Sequence, residues 1–293
     1  MAASLQERAD ALPWYHTIDL GDGVVTKGYV DTRRAAGRLP LPDSLAGKRC
    51  LDVGLENGFW AFELERRGAD SVVGIDVDDP VTLDWPARAR LTPGEGPGAE
   101  QSEHWRGHVE AFELAREALG SKVERVETSI YDLPPERLGE FDVVFAGSIL
   151  LHLRDPVLAL ERMRSVCGGM LVLSEAFYPV GSILRPRTPV AVLDGTRPWW
   201  WIPNRAALLR MVSGAGFEIE RTSRPYLVPP GPGYRRLGPR ELLRAGPHGV
   251  FSHFFGFPHM AVLARPMAEP AGASGQDQAA SLASSDFTQT SNE

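Results

Sequence analysis

Short apolar runs alternate with longer amphipathic stretches along most of this chain. The first clear run is Arg49-Cys50-Leu51-Asp52-Val53, which breaks at Gly54, and the second, Ser71-Val72-Val73-Gly74-Ile75, ends on Asp76. Further runs cover 123–127, 141–145, 170–174, 217–222 and 259–264. Most are apolar at consecutive positions, as in strands covered on both faces; 123–127 is mixed. Between them, 59–67, 109–119, 156–166 and 205–213 carry apolar residues three and four apart, the period of helices with one buried side. Phe59/Phe62 and Trp60/Leu64 show that spacing. Gly68, Gly120 and Gly214-Ala215-Gly216 stop helices, and Asn204 caps one. The alternation predicts an α/β fold with a doubly wound, mostly parallel sheet.

Four stretches lie outside that rhythm. Residues 1–46 form an arm that contains the aromatic segment Trp14-Tyr15-His16, the turn Gly21-Asp22-Gly23 and a short strand at 24–26. It reads either as a lid over a binding site or as an extension packed over a sheet edge. Segments 79–107, 175–203 and 225–257 are longer than ordinary connections and rich in Pro, Gly and Arg, and read as surface loops or substrate flaps. Beyond Arg265-Pro266 the chain is rich in Ala, Ser and Gln and nearly free of large apolar residues, so disorder is expected there. The organisation expected is an arm (1–46), one domain (47–266) and a tail (267–293).

With 293 residues, 43% of them apolar, the chain can bury one large core. No apolar run reaches the ~18 residues of a membrane span, and the first residues lack the apolar core of a signal peptide. Cys50 and Cys167 lie in or beside apolar runs, as buried thiols of a reducing, cytoplasmic setting do. His248, His253 and His259 lack metal-ligand spacing, and no metal is expected. Net charge is −7, part of it from the acids of the tail. A mildly acidic body does not suit a protein that binds nucleic acid over its whole surface, although a local basic patch remains compatible.

The candidate chemistry centres on Asp52-Val53-Gly54-Leu55-Glu56-Asn57-Gly58. Two glycines permit a tight turn, and the helix opening at Phe59 points free N–H groups back at it. Asp76, at the end of the next strand, can accept from both hydroxyls of a ribose. The dinucleotide pattern GxGxxG is absent, and an acid at the head of the turn suits a cationic or amine-bearing ligand better than a pyrophosphate. S-adenosylmethionine fits this pattern. Its amino-acid end would lie by Asp52, Gly54, Glu56, Asn57 and Gly58, and its ribose on Asp76 beside Val77. Its adenine would lie near Ser129 and Ile130, with Gly147 and Ser148 against the methionine part. The plain alternatives are a helix-capping Asp52, a solvated Asp76 and an ordinary turn at Ser129.

Leu51-Asp52-Val53-Gly54 with Gly58, Gly74-Ile75-Asp76, Phe141-Asp142-Val143-Val144-Phe145 and Leu150-Leu151-His152-Leu153-Arg154-Asp155-Pro156 together resemble the class I S-adenosylmethionine-dependent methyltransferases over about residues 47–265. The resemblance implies a Rossmann-like seven-stranded sheet whose final strand is antiparallel. A narrower resemblance links Pro13-Trp14-Tyr15-His16, Ser129-Ile130-Tyr131-Asp132-Leu133-Pro134 and Trp201-Ile202-Pro203-Asn204 to the tRNA wobble-uridine methyltransferase and carboxymethyltransferase group. Three positions depart from it. His16 stands where the carboxymethyltransferase has a lysine for its cofactor's carboxylate, Leu151 where it has a tyrosine, and Glu56 where the turn has its middle glycine.

His152 and His16 are the candidate catalytic residues, as proton acceptor and as contact to substrate or cofactor. Each could instead be a hydrogen-bonded packing residue, because methyl transfer can run on alignment and desolvation alone. Trp14, Tyr15, Trp199, Trp200 and Trp201 are candidates to wall an acceptor pocket. The expected activity is methyl transfer to an oxygen or nitrogen of a small molecule. A tRNA wobble-uridine acceptor is the alternative, and a non-catalytic cofactor-binding regulator is the alternative of another class.

Overall fold

The computed structural model describes residues 3–92, 96–195 and 198–268, without the side chains of 99–104 and 244–249. Ten strands are described: β1 (Arg49–Val53), β2 (Ser71–Asp76), β3 (Glu124–Glu127), β4 (Phe141–Gly147), β5 (Cys167–Ala176), β6 (Ala191–Leu193), β7 (Trp201–Pro203), β8 (Phe217–Thr222), β9 (Tyr226–Val228) and β10 (Phe257–Pro266). The main sheet runs β3-β2-β1-β4-β5-β10-β8. The β1–β2, β1–β4, β2–β3 and β4–β5 pairs are parallel, whereas β10 is antiparallel to β5 and β8. This is the doubly wound sheet expected, with one difference: it has eight strands, not seven. Strands β9 and β8 share one edge of β10, pairing with 257–259 and 262–266 in turn. Ser223 bridges the break between them, its N–H donating to the Ala261 carbonyl and its Oγ accepting from the Ala261 N–H, both at 2.9 Å.

Consecutive apolar residues in the strands supply both faces of the sheet. Cys50, Val72, Val143, Phe145 and Val172 go to one core, and Leu51, Val53, Val73, Val144 and Leu171 to the other. The helices are α1 (Leu5–Asp10), α2 (Phe59–Arg66), α3 (Ala87–Leu91), α4 (Ala99–Leu119), α5 (Pro135–Leu138), α6 (Pro156–Ser165), α7 (Pro179–Leu184), α8 (Arg205–Gly214) and α9 (Pro239–Phe255). Phe59, Phe62 and Leu64 of α2 and Phe112 and Ala115 of α4 fill the first core; Leu160 and Met163 of α6 and Leu208 and Val212 of α8 fill the second. Cys50 and Cys167 are buried free thiols.

The segments expected as loops are more regular than their composition suggests. Between 79 and 107 lie a 3-10 turn at Pro80–Thr82, helix α3 and the first half of α4, which begins ten residues before the apolar period does. Pro93, Gly94 and Glu95 lie outside the described residues. Between 175 and 203 stand α7 and the β6–β7 hairpin, and 225–257 contains β9 and α9. The tail expected beyond 267 falls, from 269 on, outside the described residues.

After α1 the arm makes isolated bridges, Asp19 with Val25, His16 with Val30 and Val30 with Pro230, in place of the short strand expected at 24–26. It is nevertheless built into the core: Trp14, Ile18, Leu20, Val24 and Val30 are buried in the cluster that contains Cys50 and Phe59. Its outer side meets 229–234 backbone to backbone. The Asp31 N–H donates to the Pro229 carbonyl, the Gly231 N–H to Tyr29 and the Gly233 N–H to Gly28. A Cβ at Gly233 would lie 2.0 Å from the Lys27 oxygen, so this approach requires glycine.

Candidate functional site

Parallel register brings the candidate residues to one edge. Val53 lies opposite both Ile75 and Ala146, so the turn after β1, the acid ending β2 and the loop after β4 leave the sheet together. Asp76 is level with Glu127, which places Ser129 and Ile130 beside it, and the Thr128 N–H donates to the Asp76 carbonyl. Gly54 and Gly58 adopt left-handed conformations, with φ of 80° and 86°. Cβ atoms there would lie 3.0 Å from Ile149 Cδ1 and 2.7 Å from Phe112 Cδ2, respectively. Gly147 is as constrained, its would-be Cβ 3.0 Å from the Trp60 indole nitrogen.

The Asp76 carboxylate already organises the turn. It accepts from the Glu56 N–H at 2.7 Å and the Val77 N–H at 2.8 Å, one on each oxygen. Burial pushes its pKa up to about 6. Asp52 is 1% exposed; the Ala61 N–H at the start of α2 approaches its carboxylate, but neither oxygen is met by a well-formed hydrogen bond. Burial holds its carboxyl well above the usual range. An acid buried without a partner is costly, and an ammonium group or bound hydroxyl at the turn would satisfy it. An amino-acid end at Asp52 and a ribose on the remaining lone pairs of Asp76 therefore fit what is present.

Glu56 takes a left-handed conformation, φ 50°, at the position of the missing glycine, which costs a non-glycine residue about 1 kcal/mol. Its carboxylate lies 2.6 and 2.8 Å from Nδ1 of His108 on α4; burial lowers the His108 pKa, but the charge and hydrogen bond of Glu56, with Asp76 nearby, outweigh it and raise the pKa. Trp105, one turn earlier, stacks on His108 at 5.7 Å and donates its indole N–H to the Val77 carbonyl. Asn57, expected at the cofactor, directs its side chain to the arm and α4. Asn57 is fully buried, accepts from the Tyr15 N–H at 2.6 Å and donates to the His108 carbonyl at 3.2 Å, tying arm and α4 to the turn.

The loop after β4 is held from several sides. Ser148, φ 55°, donates its N–H to Ser174, and its Oγ lies 2.8 Å from Nε2 of His259. Because His259 Nδ1 faces the Phe257 carbonyl at 2.9 Å, the serine hydroxyl is the donor to Nε2. Oε1 of Glu175 accepts from the N–H groups of Ile149 and Leu150 at 2.9 and 3.1 Å. His152 Nδ1 donates to the Pro198 carbonyl at 2.7 Å, which leaves Nε2 as the acceptor nitrogen; burial lowers its pKa, so the ring is neutral.

Of the three tryptophans, Trp199 alone faces a candidate catalytic group, its ring 6.3 Å from that of His152. Trp200 and Trp201, expected as pocket walls, also act as staples. Their indoles donate to the Asp84 carbonyl at 2.6 Å and the Arg154 carbonyl at 3.0 Å. Asp84 is a hub, its carboxylate accepting from the Tyr131 hydroxyl at 2.7 Å and the Arg154 N–H at 2.8 Å. Trp14 also departs from its expected place. It is buried in the core and donates its indole N–H to the Ala9 carbonyl within the arm. Tyr15 lies against His16 and Tyr29, and burial with Glu56 and Glu175 nearby raises its pKa. His16 packs on Phe59 at 5.6 Å, has no partner at Nδ1, and is depressed by burial to about 4. Among the described residues no group of three His, Cys, Asp or Glu side chains could hold a metal ion.

These groups give the ligand-free protein a testable pH dependence. Glu175, pushed up to about 8 by burial, stays protonated in the fold where the unfolded chain has ionised. The raised His108 holds its proton in the fold above its unfolded pKa. Both make the folded state bind more protons than the unfolded one, so the Glu175 contribution to stability is lost as pH rises from about 4.5 to 8. The lowered His16, His152 and His259 oppose it mainly below about 6.5, so stability is expected to fall between about 6.5 and 8. Urea midpoints across that range check it, and Glu175→Gln is expected to flatten most of the slope.

Glu175, His259, His108, Trp105 and Asp84 are additions to the residues expected from sequence. No family model matches the chain. Over 182 residues it is 28% identical to the tRNA U34 carboxymethyltransferase of Dichelobacter nodosus, covering 61% of this chain and 49% of that protein. Over 175 residues it is 33% identical to that of Stutzerimonas stutzeri, covering 59% and 46%. The chain thus spans about half the length of the curated relatives it matches. Among solved structures, the N-terminal domain of EvdMO1, crystallised in the presence of SAH and D-fucose, superposes with a TM-score of 0.51 at 18% identity over 89% of this chain and 95% of that one. The chain's sheet order and these likenesses give it the Rossmann-like fold of that neighbour, and its sequence is similar to part of the tRNA U34 carboxymethyltransferases.

Proposed function

We propose that this protein binds S-adenosylmethionine at the edge formed by β1, β2 and β4 and transfers its methyl group to an oxygen or nitrogen nucleophile. The observation that carries the reading is Asp52, a buried acid at the head of a glycine turn whose carboxylate no cation or side-chain donor meets among the described residues, on the same edge as Asp76. The bound cofactor supplies an electrophilic methyl on a sulfonium. Asp52 and the turn hold its amino-acid end, Asp76 its ribose, and Ser129 and Ile130 its base. The surrounding segments exclude water, and His152, neutral with Nε2 as acceptor, takes the proton that the acceptor loses.

The names of the relatives favour a tRNA wobble uridine as acceptor over a small molecule, and that is the reading to test first. A small-molecule acceptor is favoured by one observation, the net charge of −7. The donor proposed is the methyl form, not the carboxymethyl form those names imply. His16 is buried and neutral, Leu151 is apolar, and the Glu56 carboxylate acts on Tyr15, His16 and His152. A donor with an extra carboxylate would meet negative charge there.

Calorimetry with S-adenosylhomocysteine should give micromolar binding, and no binding would overturn the cofactor reading. Incubation with methyl-labelled cofactor and bulk tRNA at low salt should label the tRNA; unlabelled tRNA with no salt-sensitive binding would move the assignment to a small molecule. His152→Ala should slow transfer by about 10²-fold while leaving S-adenosylhomocysteine affinity unchanged. A near-normal rate across pH would retire His152 as the proton acceptor.

A further inference from the structure

We infer that Glu175 is a positioning residue, which fixes loop 148–152 in the conformation that holds Ser148 and His152 at the mouth of the site. The inference rests on the cofactor reading above.

Glu175 is 1% exposed, one residue beyond the position where β5 pairs with Gly147 of β4. Its Oε1 accepts from two consecutive N–H groups, Ile149 at 2.9 Å and Leu150 at 3.1 Å. These lie at the start of the 3-10 turn Leu150–His152, where the turn itself offers them no partner. The pair closes a contact between residues 25 and 26 positions apart. The backbone bond from the Ser148 N–H to the Ser174 carbonyl holds the start of the loop to β5, and the Glu175 side chain extends that hold to Ile149 and Leu150.

Two features of this loop are unfavourable locally. Ser148 is a non-glycine residue at φ 55°, and Glu175 is an acid in an apolar setting whose pKa burial raises to about 8. A chain selected for stability alone would have an ordinary conformation at 148 and an apolar residue at 175. Such costs are retained where a conformation is needed for its own sake. The same loop is also held by Ser148 on His259, by the Leu151 carbonyl accepting from the Trp200 N–H at 2.7 Å, and by His152 on Pro198. Glu175 is thus the inner peg of a loop whose outer side is stapled to the 198–201 segment. The titratable groups nearest to it are Tyr15 of the arm, Tyr226 of β9 and His259 of β10, whose strand position faces Ala176. None is a cation that would compensate an ionised Glu175.

The test uses the full chain with three variants and two readouts. Glu175→Gln keeps an oxygen that can accept both N–H groups, whereas Glu175→Ala removes it. Nitrogen-15 histidine spectra near neutral pH should show wild-type His152 as one tautomer, protonated at Nδ1. Glu175→Gln should preserve that signal and bind S-adenosylhomocysteine within about threefold of wild type. Glu175→Ala should mix the His152 tautomers and lose about tenfold in affinity. If Glu175→Ala does not fold, Glu175→Asp, which withdraws the carboxyl by one methylene, should show the same two losses. An alanine or aspartate variant that matches wild type in both readouts overturns the inference, and so does a glutamine variant that fails as alanine does. A wild-type chain that does not bind S-adenosylhomocysteine strikes the cofactor reading instead, and the His152 spectra still decide the positioning role.

Discussion

Replacing Asp76 by alanine is expected to weaken S-adenosylhomocysteine binding by about 100-fold, because two hydrogen bonds from ribose hydroxyls to a charged acceptor are each worth about 1.5 kcal/mol or more. The carboxylate also accepts from Glu56 and Val77, so its loss leaves two turn N–H groups without their partner. Asp76→Asn retains one carbonyl oxygen and is expected to lose only about tenfold. Calorimetry at pH 7 on variants with matched melting temperatures separates ribose binding from collapse of the turn. Because burial places the Asp76 pKa at about 6, the affinity of wild type should also rise between pH 5 and 7, as the carboxylate becomes the resident form. Unchanged affinity in Asp76→Ala would remove the ribose from this edge.

Phe112→Ala is expected to cost about 3–5 kcal/mol of folding free energy, a large share of the roughly 5–15 kcal/mol that a domain holds. Phe112 is 0% exposed and stacks on Phe62 of α2 with centroids 5.7 Å apart and planes within 4°. Its ring also fills the space that a Cβ on Gly58 would need. The alanine would open a cavity between α4 and α2, directly behind the turn. His108 lies one helical turn before Phe112, so the Glu56–His108 contact would lose its backing, and S-adenosylhomocysteine affinity should fall as well. Urea denaturation measures the first effect. A loss below about 1.5 kcal/mol would mean that α4 is anchored elsewhere.

The central sheet was legible because β1, β2, β4 and β5 each contain adjacent apolar residues, Cys50-Leu51, Val72-Val73, Val143-Val144-Phe145 and Met170-Leu171-Val172-Leu173, a pattern that buried parallel strands produce and surface loops do not. The first half of α4 was hidden. Glu100, Gln101, Ser102 and Glu103 give no apolar stripe, and the Pro/Gly stretch just before them points to a loop. Asp52, Gly54, Gly58 and Asp76 could be read because they cluster around one strand–turn–helix unit. Glu175 and His259 could not. One ends an apolar strand and the other starts one, and they touch Ile149 and Ser148, which are 26 and 111 positions away. Trp14, Trp200 and Trp201 show the same limit from the other side. An aromatic cluster is visible in sequence, but which carbonyl each indole nitrogen finds is decided by tertiary packing.

The burial of the arm decides which segment loosens first. Trp14, Ile18 and Leu20 share a core with Cys50 and Phe59, so lifting the arm would require opening the main core. The segment that carries Asp84 is joined to its neighbours by single polar contacts instead, from Tyr131, Arg154 and Trp200. Each is worth about 1 kcal/mol net, and they can break one at a time. Of the two segments, the one at Asp84 is therefore the one expected to loosen first, and Asp84→Ala should loosen it without disturbing the arm.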